Sequence, residues 1–372
     1  MSCDFLTLAT AGVQKLQPYQ PGKPMEELQR ELGLREVIKL ASNENPLGPG
    51  TLAREAVRAQ IDELGRYPDG NGFALKQTIS ERVGVRTDTI TLGNGSNDVL
   101  ELIVRAFCTS GHEVIFSQHA FAVYPIATQA VGATAVVTAA RDWGHDLEAM
   151  ARAISERTRV IFVANPNNPT GTWTSSETLK SLLSSTPDDV LVVVDEAYRE
   201  YVDEAHYPNC AAWIEDYPNL IVSRSFSKIY GLGGLRVGYA ISHPMVADIL
   251  NRVRQPFNVN NLAMAAAVAA LKDEEHIAAS TELNRLELAR LTQAFTAMGL
   301  SYVPSVGNFV SVDVGRDALP VYEALLREGV IVRPIGGGYE MPNHLRITVG
   351  LESENSRFLK ALEKVLSDTS PP

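Results

Sequence analysis

An α/β fold, with a mostly parallel sheet flanked by helices and a smaller α+β unit at the C-terminus, is predicted by three features of the sequence. Short apolar runs alternate with longer stretches of helical period from about residue 45 to about residue 255. Those runs are apolar on both faces, which suits strands buried between two layers of helices. Beyond residue 298 the strand and helix signals follow a different order and describe a second, smaller unit. The chain has 372 residues, 45% hydrophobic and 21% charged, enough for a large core and, at roughly 150 residues per domain, about two domains.

The first part, through Leu16-Gln-Pro-Tyr19-Gln-Pro-Gly-Lys-Pro, is rich in proline. Proline removes backbone donors and fixes φ, so an extended arm able to cross onto a neighbour is expected rather than a packed element. The strand signals that follow are Glu113-Val-Ile-Phe, Ala135-Val-Val, Arg159-Val-Ile-Phe-Val, Val190-Leu-Val-Val-Val, Leu220-Ile-Val and Val237-Gly-Tyr-Ala-Ile. Val99, Leu100, Ile103, Val104 and Phe107 recur at helical spacing after Ser96 and Asn97, residue types that cap helix N-termini. A long helix from His276 to Met298, with Leu283, Leu286, Leu288, Leu291 and Phe295, leads into the C-terminal unit. That unit reads as strand Phe309-Val-Ser-Val, helix Val321 to Arg327, strands Val330-Ile-Val and Leu345-Arg-Ile-Thr-Val, and helix Asn355 to Leu366. The resulting division is an arm and small-domain segment over 1–44, a large α/β domain over 45–280 and a small α+β domain over 281–372.

Several function classes lose ground on composition. The net charge is −11, against the basic balance of a phosphate-backbone binder, so no nucleic-acid partner is expected. The longest apolar stretch, Ala263 to Leu271, is far below the ~18 residues of a membrane span, so no membrane partner is expected either. The start carries Asp4 and no basic n-region, unlike a secretory signal. Three scattered cysteines form no C-x-x-C pair and suit a reducing, cytoplasmic setting. Seven scattered histidines give no H-E-x-x-H, so no metal site is expected. Gly231, Gly233 and Gly234 are followed by Arg236 where a dinucleotide loop needs glycine, and no P-loop is present.

Three strand ends carry chemistry-bearing residues, and in open α/β sheets ligands lie beyond the carboxyl ends of strands. Ser225-Phe-Ser-Lys228 follows one strand; alone, Lys228 reads as a solvated lysine as readily as a reactive amine. Val190-Leu-Val-Val-Val-Asp195-Glu-Ala-Tyr198 ends another strand in a carboxylate, which either caps the next helix or awaits a cationic partner. Ala164-Asn165-Pro-Asn-Asn168-Pro-Thr-Gly171 makes a rigid turn at a third and places amide donors on the same rim.

Asn-Pro-x-Asn-Pro-Thr-Gly, Asp-x-x-Tyr and Ser-x-Ser-Lys, with Arg236 eight positions beyond Lys228, occur in the same order as in the pyridoxal 5'-phosphate aminotransferases of fold type I, and the sequence resembles that family. Leu16-Gln-Pro-Tyr-Gln-Pro-Gly, Leu40-Ala-Ser-Asn-Glu-Asn-Pro-Leu-Gly, Arg66-Tyr-Pro-Asp, Gly329-Val-Ile-Val-Arg-Pro and Leu345-Arg-Ile-Thr-Val-Gly narrow the likeness to its histidinol-phosphate branch, over essentially the whole chain.

The resemblance implies that Lys228 holds the cofactor as a Schiff base and moves the α-proton, that Asp195 keeps the pyridine nitrogen protonated, and that Tyr198 and Asn168 bond the ring hydroxyl. Ser96, Asn97, Ser225, Ser227 and Arg236 would cradle the cofactor phosphate, with Tyr67 reaching it from the other subunit of a homodimer. Tyr124 takes the place of the aromatic that stacks on the ring, or else is an ordinary core tyrosine. Arg333 and Arg346 would bind substrate anions, and Tyr19 would close over the substrate.

The activity implied is transamination of L-histidinol phosphate with 2-oxoglutarate, giving imidazole acetol phosphate and glutamate, in histidine biosynthesis. Aromatic amino-acid transamination and threonine-phosphate decarboxylation are the alternatives within the fold. A cofactor-sensing transcription factor is disfavoured, because only about 45 residues precede the catalytic domain and they hold no helix-turn-helix pattern.

Overall fold

The computed structural model describes residues 3–19 and 21–368. Its centre is a seven-stranded sheet of β2 (Ile90–Gly93), β3 (Glu113–Ser117), β4 (Thr134–Thr138), β5 (Thr158–Ala164), β6 (Leu191–Asp195), β7 (Leu220–Ser225) and β8 (Gly238–Ser242), preceded in the chain by β1 (Ile38–Lys39). The spatial order is β2-β8-β7-β6-β5-β3-β4. Only β8 runs antiparallel to its neighbours, so the sheet is mostly parallel as expected.

Residues of one strand alternate between two cores. Ile161 and Val163 join one apolar cluster, whereas Val160, Phe162 and Ala164 join the other, with the clusters on opposite faces of the sheet. Helix Ser96–Phe107 lays Val99, Leu100, Ile103 and Val104 into the second cluster. At the edge, β4 departs from the expected double burial: Thr134, Ala135 and Val137 are exposed, as suits the last strand of the sheet, which pairs with β3 on one edge only. β2 was not signalled in the sequence; its four residues are too few to show a period.

The small domain has a four-stranded sheet ordered β12 (Arg333–Pro334), β13 (His344–Thr348), β10 (Phe309–Asp313) and β9 (Tyr302–Val303), all antiparallel. The expected strand Val330-Ile-Val is divided. Its first two residues form β11 (Val330–Ile331), which pairs with β1 in parallel, and pairing resumes with β13 at Arg333. The bridging helix runs Glu274–Ala297; Leu291 and Phe295 are buried, but Leu286 is half exposed, so its apolar face is narrower than the leucine spacing suggests.

The N-terminal expectation needs correction. The part around Gln17 to Lys23 lacks regular structure where it is described, but a helix at Met25–Leu32 follows, with Leu28 buried against Val37, Ala41 and Ile331. Pro24 is its N-cap residue and Gly33 closes it in the left-handed conformation. The proline signal therefore marked the approach to a packed helix, and β1 ties that stretch to the small domain. No helix among the described residues is long and apolar enough to cross a membrane.

Candidate active site

The three motif-bearing strand ends meet because their strands are neighbours. Ala164 pairs with Asp195 and Asp195 with Ser223, so the turn after β5, the carboxylate ending β6 and the lysine loop after β7 share one rim. Above it lies a cavity of about 330 Å³. Its wall includes Lys228, Asp195, Tyr198, Asn168, Ser96, Asn97, Ser225, Ser227, Arg236, Arg333, Arg346 and Tyr19. Of the residues singled out in the sequence, Tyr67 and Tyr124 do not line it.

Asp195 is buried and accepts a hydrogen bond from the Tyr124 hydroxyl on Oδ2 at 3.1 Å, while Oδ1 is buried with no partner. Burial pushes its pKa up to about 6, with the Tyr124 bond pulling the other way. No regular helix follows for it to cap; the next element is the single 3₁₀ turn Arg199–Tyr201. A buried carboxylate oxygen without a donor calls for a cationic N–H from a ligand.

The Lys228 amine opens onto the cavity, donates to the Ser42 carbonyl at 3.0 Å and lies 5.5 Å from the centre of the Tyr198 ring. Desolvation, reinforced by the Arg346 and Arg236 charges, brings its pKa down to about 7. The Tyr198 hydroxyl accepts from Asn43 Nδ2 at 2.9 Å and Asn168 Nδ2 at 3.1 Å, which leaves its own hydrogen to donate into the cavity. Burial raises its pKa to about 12, so it remains a donor at neutral pH.

Arg346 is buried on β13. It bonds Asn168 Oδ1 and the Ala41 carbonyl, each at 2.5 Å, and keeps a buried Nε without a partner. Arg333 pairs with Arg346 across β12 and β13, so both guanidinium groups reach the cavity from one edge of the small domain. Tyr19 lies under Arg333, its ring centre 5.8 Å from the guanidinium carbon.

At the other end of the cavity, Ser96 and Asn97 open a twelve-residue helix, so free backbone N–H groups and the positive end of the dipole face inward. The expectation that Ser96 or Asn97 caps this helix is corrected. The N-cap is Gly95 at φ 88°, and Ser96 is the first helical residue. A Cβ at Gly95 would lie 2.3 Å from Arg236 Nη2, and one at Gly238 would lie 2.5 Å from Ser96 N, so both glycines permit the close approach of loop, helix and arginine. Arg236 Nη1 bonds the Gly233 carbonyl at 2.9 Å and Ser227 Oγ at 3.3 Å.

Tyr124 is a core residue by position. It is fully buried, stacks on Phe162 at 4.5 Å and reaches the site only through its bond to Asp195. Of the two aromatics in this stretch, the one on the cavity wall is Phe121, three residues earlier and edge-on to Tyr124. Ala120-Phe-Ala-Val-Tyr-Pro holds two aromatics, and the helix starting at Val123 turns the second inward. Tyr67 is 83% exposed and stacked on Phe257 outside its own chain's cavity. Sequence reasoning also missed Asn43, whose side chain joins Tyr198 to the small-domain residue Thr348 and whose signal lay within Leu40-Ala-Ser-Asn-Glu-Asn.

A sequence profile for aminotransferase class I and II matches residues 35–362. The chain belongs to the class I and II aminotransferase family. Within that family, the chain is 60% identical over 369 residues to the histidinol-phosphate aminotransferase 2 of Pseudomonas fluorescens, covering 99% of this chain and all of that one. It is 57% identical to the histidinol-phosphate aminotransferase 1 of Nitrosococcus oceani, covering 98% of each. The fold matches the crystal structure of histidinol-phosphate aminotransferase from Sinorhizobium meliloti in complex with pyridoxal-5'-phosphate, with a TM-score of 0.89, 28% identity, and 97% and 98% of the two chains covered.

The cofactor of this aminotransferase is pyridoxal phosphate. The donor set present here fits it: an orphan carboxylate oxygen for a protonated ring nitrogen, a neutralised amine for an aldehyde, and a helix N-terminus with Arg236 for a phosphate.

Proposed function

We propose that this aminotransferase passes the amino group of L-histidinol phosphate to 2-oxoglutarate, giving imidazole acetol phosphate and glutamate, as a step of histidine biosynthesis. The observation that carries the reading is one cavity that holds Lys228 near neutrality between the partnerless Asp195 Oδ1 and two arginines on one strand pair. The relatives at 57–60% identity bear that activity in their names.

Pyridoxal phosphate supplies an aldehyde that captures the amine and a ring that accepts the electron pair left at the α-carbon. Everything else is done by the chain. Arg346 and Arg333 take the substrate anion, the phosphate of one donor or the α-carboxylate of glutamate, and the buried Nε of Arg346 offers a donor still unused. Both donors share these anchors, so the α-carbon is delivered to the same place in each half-reaction. Lys228, neutral for much of the time near pH 7, takes the proton from the α-carbon and returns it. Asp195 stays ionised once its free oxygen meets a positive N–H, and Tyr124 holds that carboxylate in place. Tyr198, with Asn43 and Asn168 both donating to its oxygen, presents its hydrogen to the ring hydroxyl.

The assembly that supports this chemistry is a homodimer. Tyr67 stands exposed on its own chain and completes the phosphate cradle of the partner. The setting is cytoplasmic, where Cys108 and Cys210 stay as buried thiols. Borohydride reduction followed by peptide mapping is expected to find the pyridoxyl group on Lys228, and a panel of histidinol phosphate, phenylalanine, tyrosine and threonine phosphate is expected to favour the first. A label on another lysine, or preference for another donor, would overturn the reading.

A further inference from the structure

Residues 40–43 are bound to the small domain by their backbone, yet Ser42 and Asn43 line the cavity. Leu40 N donates to the Ile331 carbonyl at 2.7 Å and the Leu40 carbonyl accepts from Thr348 N at 2.9 Å, so the stretch is stitched to β11 and to the end of β13. Asn43 is 1% exposed and sits at φ 54°, a left-handed conformation that a side chain keeps only where its surroundings hold it. All of its polar groups are engaged. Its N–H donates to Thr348 Oγ1 at 2.9 Å, its carbonyl accepts from Asn308 Nδ2 at 3.0 Å, its Oδ1 accepts from Thr348 Oγ1 at 3.1 Å, and its Nδ2 donates to the Tyr198 hydroxyl at 2.9 Å. The first three bonds reach the small domain and the fourth reaches the large one.

We propose that Asn43 is a positioning residue that ties the small domain to two groups facing the cofactor, its side-chain amide holding the Tyr198 hydroxyl and its peptide holding the free Lys228 amine. The inference rests on the functional reading above, in which Tyr198 donates to the ring hydroxyl, and adds the device that makes this donor depend on where the small domain sits.

The peptide comes first. The N–H and C=O of a trans peptide point in opposite directions, so the bond from Asn43 N to Thr348 turns the Ser42 carbonyl the other way, where it accepts from the Lys228 amine at 3.0 Å. The left-handed φ of Asn43 fixes that plane. The amide acts on the phenol. Thr348 and Arg346 stand two residues apart on β13 and share a face of the strand. Arg346 bonds Asn168 Oδ1, and Asn168 Nδ2 donates to the Tyr198 hydroxyl at 3.1 Å, so the strand that supplies a substrate arginine grips the same oxygen through two amides. A hydroxyl whose lone pairs are both taken has one direction left for its hydrogen, and each amide also polarises the O–H into a stronger donor.

A donor on the ring oxygen of the cofactor makes that oxygen less basic. The proton it shares with the nitrogen joined to Lys228 is then lost at lower pH, and slackening Asn43 should raise that pH.

The test is a pH titration of the cofactor absorbance band in wild-type, Tyr198→Phe, Asn43→Gly and Thr348→Val holoenzymes, with pyridoxal phosphate capture measured on the cofactor-free forms. Tyr198→Phe deletes the donor and sets the full upward shift of the midpoint, about one pH unit. Asn43→Gly deletes the amide but suits the left-handed backbone, so the Ser42 carbonyl stays in place; about half of that shift is expected, with the capture midpoint unmoved. Thr348→Val is nearly isosteric, leaves residue 43 untouched and releases its hold; a shift in the same direction is expected. A wild-type midpoint in Asn43→Gly, or in Thr348→Val alone, would overturn the tie between the small domain and Tyr198. A displaced capture midpoint in Asn43→Gly would overturn the assignment of the Lys228 contact to the peptide. No shift in Tyr198→Phe would overturn the functional reading of Tyr198 and the proposal with it, whereas preference for a donor other than histidinol phosphate would overturn the choice of substrate and leave these midpoints as they are.

Discussion

If Lys228 titrates near 7, the cofactor-free protein should capture pyridoxal phosphate with a pH dependence unlike that of any surface lysine. At pH 7.5 an amine with a pKa of about 7 is about 75% neutral, whereas an ordinary lysine near 10.5 is about 0.1% neutral. The difference is several hundredfold in the reactive form. Stopped-flow absorbance of capture across pH 6 to 10 should show a midpoint near 7. Arg346→Gln removes the second-ranked cause of the depression, after desolvation, and should move that midpoint upward. The same shift makes a linked stability claim. Between about 7 and 10.5 the unfolded chain holds the lysine proton and the folded chain does not, so the cofactor-free protein gains stability as pH rises through that window. The ceiling is about 1.4 kcal/mol per pH unit, reduced in practice because the amine opens onto a watered cavity. A capture midpoint at 10 or above, or unfolding midpoints flat between pH 7 and 9, would refute the argument.

Three further outcomes follow from contacts on the same rim. Tyr124→Phe removes the only side-chain hydrogen-bond donor to Asp195 among the described residues; the carboxyl pKa should rise further and kcat should fall about tenfold while the fold is kept, and unchanged turnover would mean that the Tyr124 bond does not tune the acid. Gly95→Ala places a methyl 2.3 Å from Arg236 Nη2 on a backbone at φ 88°, so cofactor affinity should weaken at least tenfold by equilibrium titration, and wild-type affinity would show that the loop yields freely. Glu196→Gln breaks a fully buried ion pair with Arg224 at 2.8 Å directly behind Asp195; urea unfolding should show a loss of about 3–5 kcal/mol, and a loss under about 1 kcal/mol would mean that the Arg224 charge finds another partner.

The fold was legible where the pattern was long or doubly apolar. Strands β5, β6 and β7 sit between two cores, and their runs of valine and isoleucine are what such burial demands. β2 and β9, of four and two residues, are shorter than any period can reveal, and the helix at Met25–Leu32 was hidden by the proline that is its N-cap residue. In the site, the motif residues came together because the strand ends were visible and β5, β6 and β7 are neighbours in the sheet, in register at Ala164, Asp195 and Ser223. Tyr124 was harder. Phe121 and Tyr124 are three residues apart across a helix start, and which ring faces the cavity is settled by the packing of Phe162 on Tyr124.

The paired shifts at Asp195 and Lys228 explain why the site is built on buried strand ends. Burial moves the acid up to about 6 and the amine down to about 7, so each is driven toward its neutral form. Neither shift helps the cofactor-free fold: the cost of the amine is full below about 7 and fades as pH rises toward its ordinary value, and that of the carboxylate is full above about 6 and fades as pH falls. A ring that is cationic at one end and electrophilic at the other relieves both at once, because the carboxylate regains a positive partner and the neutral amine becomes the reacting group. The site thus holds binding free energy for a ligand with that polarity, and a phosphate at the third corner fixes the orientation through the helix at Ser96. This argument requires both shifts to originate in burial. Replacing Asp195 by Asn should therefore relieve the cost at the acid and stabilise the cofactor-free protein at pH 7 to 8, while weakening cofactor affinity, and a variant less stable in the cofactor-free form would show that Asp195 holds the fold through its bond to Tyr124 instead.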